Sequence, residues 1–149
     1  MMTMPVKSND KVCVGWREWV SLPELDIARI KAKIDTGART SCLHTFKIEE
    51  FEKSGQAWVR FWVHPNQGDD ETAIQAEAPV LARRLVRDSG GHEQLRYVIQ
   101  TTIKAGTLCY PIEMTLTARD NMRFRMLLGR TAMAGKIIVD PMSSFLLGK

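Results

Sequence analysis

Alternation of apolar and polar residues with a period of two constrains the fold of this chain more than any other feature. Ile30, Ala32 and Ile34 alternate with basic residues, and three further segments, residues 57–63, 97–103 and 112–116, show the same alternation. Successive side chains of a strand point to opposite faces of a sheet, so each segment predicts a strand. Turn-forming residues separate these segments. The pattern predicts an all-β domain, a mostly antiparallel barrel or sandwich.

Helical signals are sparse. Residues 130–135 predict one short helix, with Thr131 as a candidate N-cap and Gly135 as a terminator. A length of 149 residues is typical of one domain. We expect residues 1–10 to form a flexible tail and residues 11–149 to form a single domain.

Composition excludes several classes of protein. Hydrophobic residues make up 44% of the chain and charged residues 26%, which is typical of an ordered globular protein. No apolar run approaches the roughly 18 residues of a membrane span, and residues 1–10 lack the apolar core of a signal peptide. Three widely spaced cysteines then indicate reduced thiols. We expect a cytoplasmic protein with no membrane partner.

The most informative motif is Asp35-Thr36-Gly37, at the end of the strand that contains Ile34. An aspartate there can hold a water between itself and a second carboxylate. Two carboxylates about 3 Å apart share one proton, so one activates the water and the other polarises a scissile carbonyl. The Thr36 hydroxyl and the Gly37 amide can orient the carboxylates. An ordinary Asx turn after a strand is the alternative interpretation.

A second segment, residues 124–130, predicts an apolar strand that ends in glycine and leads into the short helix. Together with the Asp-Thr-Gly segment, it resembles the retropepsin-like aspartic proteases, in which the second strand packs through the loop that carries the aspartate. The resemblance implies a closed acid-protease barrel with one short C-terminal helix. It also implies that Leu128, Gly129 and Arg130 are structural residues beside the site.

The resemblance extends over most of the chain, from about Val14 to Pro141. Residues 14–23, 32–41, 96–99 and 119–133 are similar to a bacterial family named ATP-dependent zinc protease. Members of that family are associated with ATP-grasp ligases that add glutamates to protein C-termini, and at least one trims such poly-glutamate. The resemblance therefore implies a peptidase that acts on acidic, poly-glutamate-like tails.

The sequence contains no motif for binding ATP or zinc, the two cofactors in that family name. No phosphate-binding GxxxxGK[ST] loop is present, and no HExxH motif could hold zinc. His44, His64 and His92 are isolated in the sequence, and we expect them at the surface or in turns. Cys42 is interpreted as a core or wall thiol rather than a nucleophile. We expect no metal and no cofactor.

The origin of the second carboxylate is left open by a single Asp-Thr-Gly motif. A homodimer with Asp35 of each subunit facing across a twofold axis is the simplest source. Asp88, in the segment Asp88-Ser89-Gly90-Gly91, is the internal alternative. We interpret that segment as a hairpin tip, the flap over the cleft, because Arg87 precedes it where a buried strand is expected.

Arginines indicate the substrate class, because guanidinium groups pair bidentately with carboxylates. We expect a basic cleft for an acidic peptide or protein tail, with five candidate substrate-binding residues: Ala38, Arg39, Arg84, Arg87 and Ser89. The alternative is a non-catalytic module of the same fold that binds acidic tails. Nucleic acid is a disfavoured partner, because large aromatic residues on strands are usually packing or interface residues.

Overall fold

A computed structural model describes residues 11–66, 69, 71–87, 90–118 and 124–148. Within these ranges the chain forms twelve strands and one α-helix. The strands are β1 (Val12–Val14), β2 (Arg17–Leu22), β3 (Ile27–Asp35), β4 (Ser41–His44), β5 (Lys47–Lys53), β6 (Gln56–Val63), β7 (Ile74–Pro79), β8 (Ala82–Arg87), β9 (Glu93–Ala105), β10 (Leu108–Thr117), β11 (Met126–Gly129) and β12 (Ile137–Val139). The helix α1 (Arg130–Met133) lies between β11 and β12. It is far too short to cross a membrane, and no other α-helix occurs in the described ranges.

Six strands close into a barrel in the order β10, β4, β11, β3, β2 and β9, because β9 pairs with both β2 and β10. The hairpin of β8 and β9 extends from this barrel. β5, β6 and β7 form a separate antiparallel sheet, and β1 pairs in parallel with β12. The predicted fold class, an all-β closed barrel with one short helix, is confirmed.

The alternating residues fill the core as predicted. Ile30 and Ala32 of β3 are fully buried, and so are Val59, Phe61 and Val63 of the three-stranded sheet. The apolar faces of the barrel and of this sheet share one hydrophobic cluster. Burial of each large aliphatic or aromatic side chain contributes about 1.5–3 kcal/mol to folding. A single core therefore supports both sheets.

The helix differs from the prediction at its N-terminus. Gly129 is its N-cap, and no side chain caps it. The hydroxyl of Thr131, the predicted cap, instead donates a hydrogen bond to the carbonyl oxygen of Arg39 at 2.8 Å. The Thr131 prediction was wrong because the loop that follows β3 lies against the start of the helix and takes this hydroxyl.

The expectation that the histidines lie at the surface or in turns was wrong for His44, whereas His64 lies in the segment directly after β6 but is buried. His44 is buried in β4, with its Nδ1 2.8 Å from the Thr117 hydroxyl. His64 is buried, and its ring stacks on Phe46 with centroids 4.0 Å apart. Only His92 is exposed. Strand pairing and ring stacking cover the two buried rings, and isolated positions in a sequence cannot reveal either contact.

Candidate active site

Asp35 is the last residue of β3, and it lies opposite Gly129 in the parallel pairing of β3 with β11. Its side chain turns back on the following loop. Oδ1 accepts hydrogen bonds from the amides of Gly37 at 3.0 Å and Ala38 at 3.2 Å. Asp35 is half-buried, whereas Thr36 and Gly37 are exposed. The motif therefore presents a fixed carboxylate in an outward-facing loop.

Residues 36–40 form the loop after β3, which we call the aspartate loop. β11 and the start of α1 pack against this loop and the residue that follows it. The Gly129 amide donates to the Ser41 hydroxyl at 3.0 Å. The Arg130 amide donates to the Ala38 carbonyl at 2.8 Å, and the Arg130 guanidinium donates to the Gly37 carbonyl at 3.2 Å. The second strand thus packs against the aspartate loop, in the way that the sequence resemblance implies. These contacts fix the direction in which Asp35 points.

Among the described residues, none donates a hydrogen bond to Oδ2, the other carboxylate oxygen of Asp35, and no second carboxylate is hydrogen-bonded to Asp35. A carboxylate with one oxygen held by amides and the other available can bind and deprotonate a water. The second carboxylate that an aspartic mechanism needs has to come from outside these contacts.

A groove of about 450 Å³ lies beside the aspartate loop, and its lining carries three cationic side chains: Arg39, Arg84 and Lys136. Arg84 lies 3.4 Å from the carboxylate of Glu113. Lys136 lies over the ring of Tyr110, 5.1 Å from its centroid. Burial raises the pKa of Tyr110, whose hydroxyl donates to the Ala132 carbonyl. The lining of the groove therefore combines cationic side chains with the uncharged ring of Tyr110.

The predicted substrate-binding residues are only partly brought together. Arg39 and Arg84 line the same groove, and Ala38 lies in the aspartate loop. Arg87 is at the outer end of β8, where it lies 3.7 Å from Glu93. Ser89 and the alternative carboxylate Asp88 lie outside the described residues. Lys136 was missed because it follows the helix in the sequence and meets the arginines only through the tertiary fold.

A second, more apolar depression of about 600 Å³ lies near the exposed Thr36. Met133, Ile137 and Val139 supply most of its apolar lining. It lies between α1 and the edge formed by β12. An apolar surface adjoins the aspartate loop, therefore, in addition to the basic groove.

Metal-binding side chains do not cluster in the ranges that the structure describes. No three histidine, cysteine, aspartate or glutamate side chains in those ranges converge in a way that could hold a metal ion. Cys42 is buried, with its sulfur 3.8 Å from Nη1 of Arg96.

Residues 13–149 match the RimB-like family, described as retropepsin-like aspartic endopeptidase RimB. The chain belongs to the RimB-like family. The retropepsin-like resemblance is therefore confirmed for this RimB-like chain. The name ATP-dependent zinc protease is not part of the family description and stays a prediction.

Curated relatives of this RimB-like chain carry a different name. A "Probable alpha-L-glutamate ligase" of Parasynechococcus marenigrum is 49% identical over 138 residues, which is 93% of this chain and 30% of that protein. A protein of the same name from Shewanella pealeana is 43% identical over 142 residues, which is 95% of this chain and 31% of that protein. The chain thus spans about 30% of the length of the curated relatives it matches.

A solved structure shares the RimB-like fold. A Legionella pneumophila protein, described as having unknown function, superposes with a TM-score of 0.73 at 28% sequence identity. The match covers 91% of this chain and 98% of the Legionella chain. A protein of nearly the same extent therefore adopts this architecture.

Proposed function

We propose that this RimB-like chain is an aspartic-type peptidase that hydrolyses peptide bonds in acidic, poly-glutamate-like tails. The observation that carries the proposal is the hydrogen bonding of Asp35. Amides of its own loop donate hydrogen bonds to one oxygen, and Arg130 at the start of α1 donates hydrogen bonds to the carbonyl groups of that loop. A carboxylate oriented in this way suits a general base that must point at a water.

A homodimer supplies the second carboxylate in this proposal, with Asp35 of a second copy facing the first. Exposure of Thr36 and Gly37, with the apolar depression beside them, supports an interface at this loop. One carboxylate of the pair takes a proton from the water as it attacks the carbonyl carbon. The other, protonated, donates a hydrogen bond to the carbonyl oxygen, and a proton passes to the leaving amine as the C–N bond breaks.

The acidic substrate class is supported by two separate findings. Arg39, Arg84 and Lys136 line the groove beside the aspartate loop, and cationic side chains there favour carboxylate-bearing peptides. Relatives that share this region are named for a glutamate ligase. A domain that removes glutamate residues would reverse the reaction that the name of these relatives describes.

Hydrolysis of a poly-α-L-glutamate peptide tests the proposal, with the wild type compared with Asp35→Asn and each assayed with and without a chelator. We expect cleavage that survives the chelator and is lost in Asp35→Asn. Asp26→Asn is the matched control, because Asp26 is exposed in the turn before β3, at the other end of that strand from Asp35. Full activity in Asp35→Asn would exclude the mechanism, and activity lost to the chelator would indicate a metal.

A non-catalytic module that binds acidic tails is the second candidate. The ligase name of the relatives favours it, because a binding domain could hold a growing tail for such an enzyme. It predicts saturable binding of the peptide by both the wild type and Asp35→Asn, with no cleavage by either protein.

A further inference from the structure

Five cationic side chains lie on the outer face of the sheet formed by β3, β2 and β9. We call this set the basic face: Arg17, Arg29, Lys31, Lys33 and Lys104. Cross-strand partners share a face, and Arg17 pairs with Lys33, Trp19 with Lys31, and Ser21 with Lys104. Along β3, Arg29, Lys31 and Lys33 alternate with the buried Ile30 and Ala32. The five positive charges therefore lie on one face of the sheet.

Most cations of the basic face have no carboxylate partner among the described residues. Arg17, Arg29, Lys33 and Lys104 form no ion pair with any residue in the described ranges. The one acidic side chain within β2, Glu18, is fully buried, with three backbone amides bound to its carboxylate. Like charges directly opposite on paired strands, as Arg17 and Lys33 are, disfavour the sheet. An anionic partner would relieve that repulsion.

The aromatic rings of this surface are already covered. The Arg29 guanidinium lies 3.8 Å from the centroid of Trp19, and Phe145 stacks on Trp19 with centroids 6.1 Å apart. Arg17 in turn lies 4.8 Å from the Phe145 centroid. Stacking of nucleic-acid bases needs open aromatic faces. The arrangement therefore favours a partner that contacts the cations rather than the rings.

We propose that the basic face is a docking site for an extended acidic peptide, distinct from the groove beside Asp35. Side chains two residues apart on a strand are roughly 6.6–6.8 Å apart. An extended poly-glutamate segment repeats its carboxylates on one side with the same spacing. Glutamates four residues apart can therefore lie opposite Arg29 and Lys33, and Lys31, which packs over the rings of Trp19 and Phe145, lies between them.

The row of cations along β3 leads towards the active-site loop. Asp35 follows Lys33 by two residues, so it continues the same alternation at the end of the strand. A tail docked on the basic face is thus anchored close to the loop that carries Asp35. The proposal rests on the proposed function for the identity of the acidic tail, but binding at this face requires no catalysis.

Fluorescence anisotropy of a labelled deca-α-L-glutamate peptide at low ionic strength tests the proposal. Asp35→Asn serves as the parent protein, so that cleavage does not interfere. In this parent, the double substitution Arg29→Gln/Lys33→Gln should weaken binding about tenfold, the effect of losing two exposed ion pairs. Both side chains are exposed, so the fold should be retained, and circular dichroism checks this.

Lys47→Gln/Lys53→Gln is the matched control, because it removes the same charge from β5 in the other sheet. We expect it to change the affinity less than twofold. Equal losses in the two double variants would overturn the docking site and indicate a response to net charge alone. Tighter binding of a ten-residue oligothymidylate than of the peptide would overturn the peptide as the partner. A wild type that binds but does not cleave would refute only the peptidase function.

Discussion

Gly129 packs so closely against Thr40 that a Cβ atom at position 129 would lie 2.6 Å from the Thr40 carbonyl carbon. The Ser41 amide nitrogen would be only 2.9 Å away. The φ angle of Gly129 is −90°, which any residue can adopt. Space rather than backbone conformation therefore requires glycine here, and the close approach is what lets β11 hold the aspartate loop.

Gly129→Ala should destabilise the protein by about 2–3 kcal/mol, because backbone atoms of Thr40 must move to admit a methyl group. Urea unfolding measures the change. Gly135→Ala is the matched control: its added methyl meets no atom within 4 Å, and only the positive φ of 79° opposes it. We expect a smaller loss there, about 1 kcal/mol. A loss at Gly135 that equals or exceeds the loss at Gly129 would contradict the packing argument.

Glu18→Ala should release the C-terminal segment from the barrel. The fully buried Glu18 carboxylate accepts hydrogen bonds from the amides of Gly15, Leu146 and Leu147 at 2.6–3.0 Å. Without that acceptor, three donors lose a charge-assisted bond, and we expect a destabilisation of about 2–4 kcal/mol. Hydrogen exchange should speed up at Leu146 and Leu147 first. Unchanged exchange at these amides would contradict this role of Glu18.

Substrate affinity should depend on the groove cations if the proposed peptidase function holds. Lys136→Gln and Arg39→Gln should each raise KM for an acidic peptide about threefold to tenfold, while kcat changes little. Both side chains line the groove, and neither bonds to the Asp35 carboxylate. Steady-state kinetics on acidic and neutral peptides measures the effect. An equal rise in KM for the neutral peptide would argue against carboxylate recognition.

Glu50 should make part of the stability depend on pH. Hydrogen bonds from Arg83 and then from Tyr97 lower the pKa of Glu50 from its ordinary 4.5. The stabilisation is therefore present above pH 4.5 and lost as the pH falls through the lowered pKa. Glu50→Gln should lower Tm slightly at pH 7, and the difference in Tm from the wild type should shrink as the pH falls below 4.5. Glu52→Gln is the matched control, because Glu52 lies on the same strand but the Arg83 and Tyr97 hydrogen bonds go to Glu50, and it should lower Tm at pH 7 less than Glu50→Gln.

Strands with one buried face were predictable from the sequence, and others were not. β3, β6, β9 and β10 show the period-two alternation and were found in this way. β4 was missed because all four of its residues are buried: it lies between β10 and β11, and burial on both faces removes the alternation. β5 was missed because it is an edge strand with mostly exposed polar residues.

Some residues of the candidate site were likewise predictable from the sequence, and others are brought together only by the fold. Asp35, Thr36 and Gly37 form a local motif, so the sequence alone was enough to predict the strand that ends at Asp35. Arg39, Arg84 and Lys136 come from three distant segments, and only the closed barrel brings them to one groove. Neighbours along a chain determine strand periodicity and turns, whereas contacts between distant segments depend on which strands pair. For that reason the sequence predicted a basic cleft with Arg39 and Arg84 but not Lys136, and the basic face across β2, β3 and β9 emerged only from the tertiary structure.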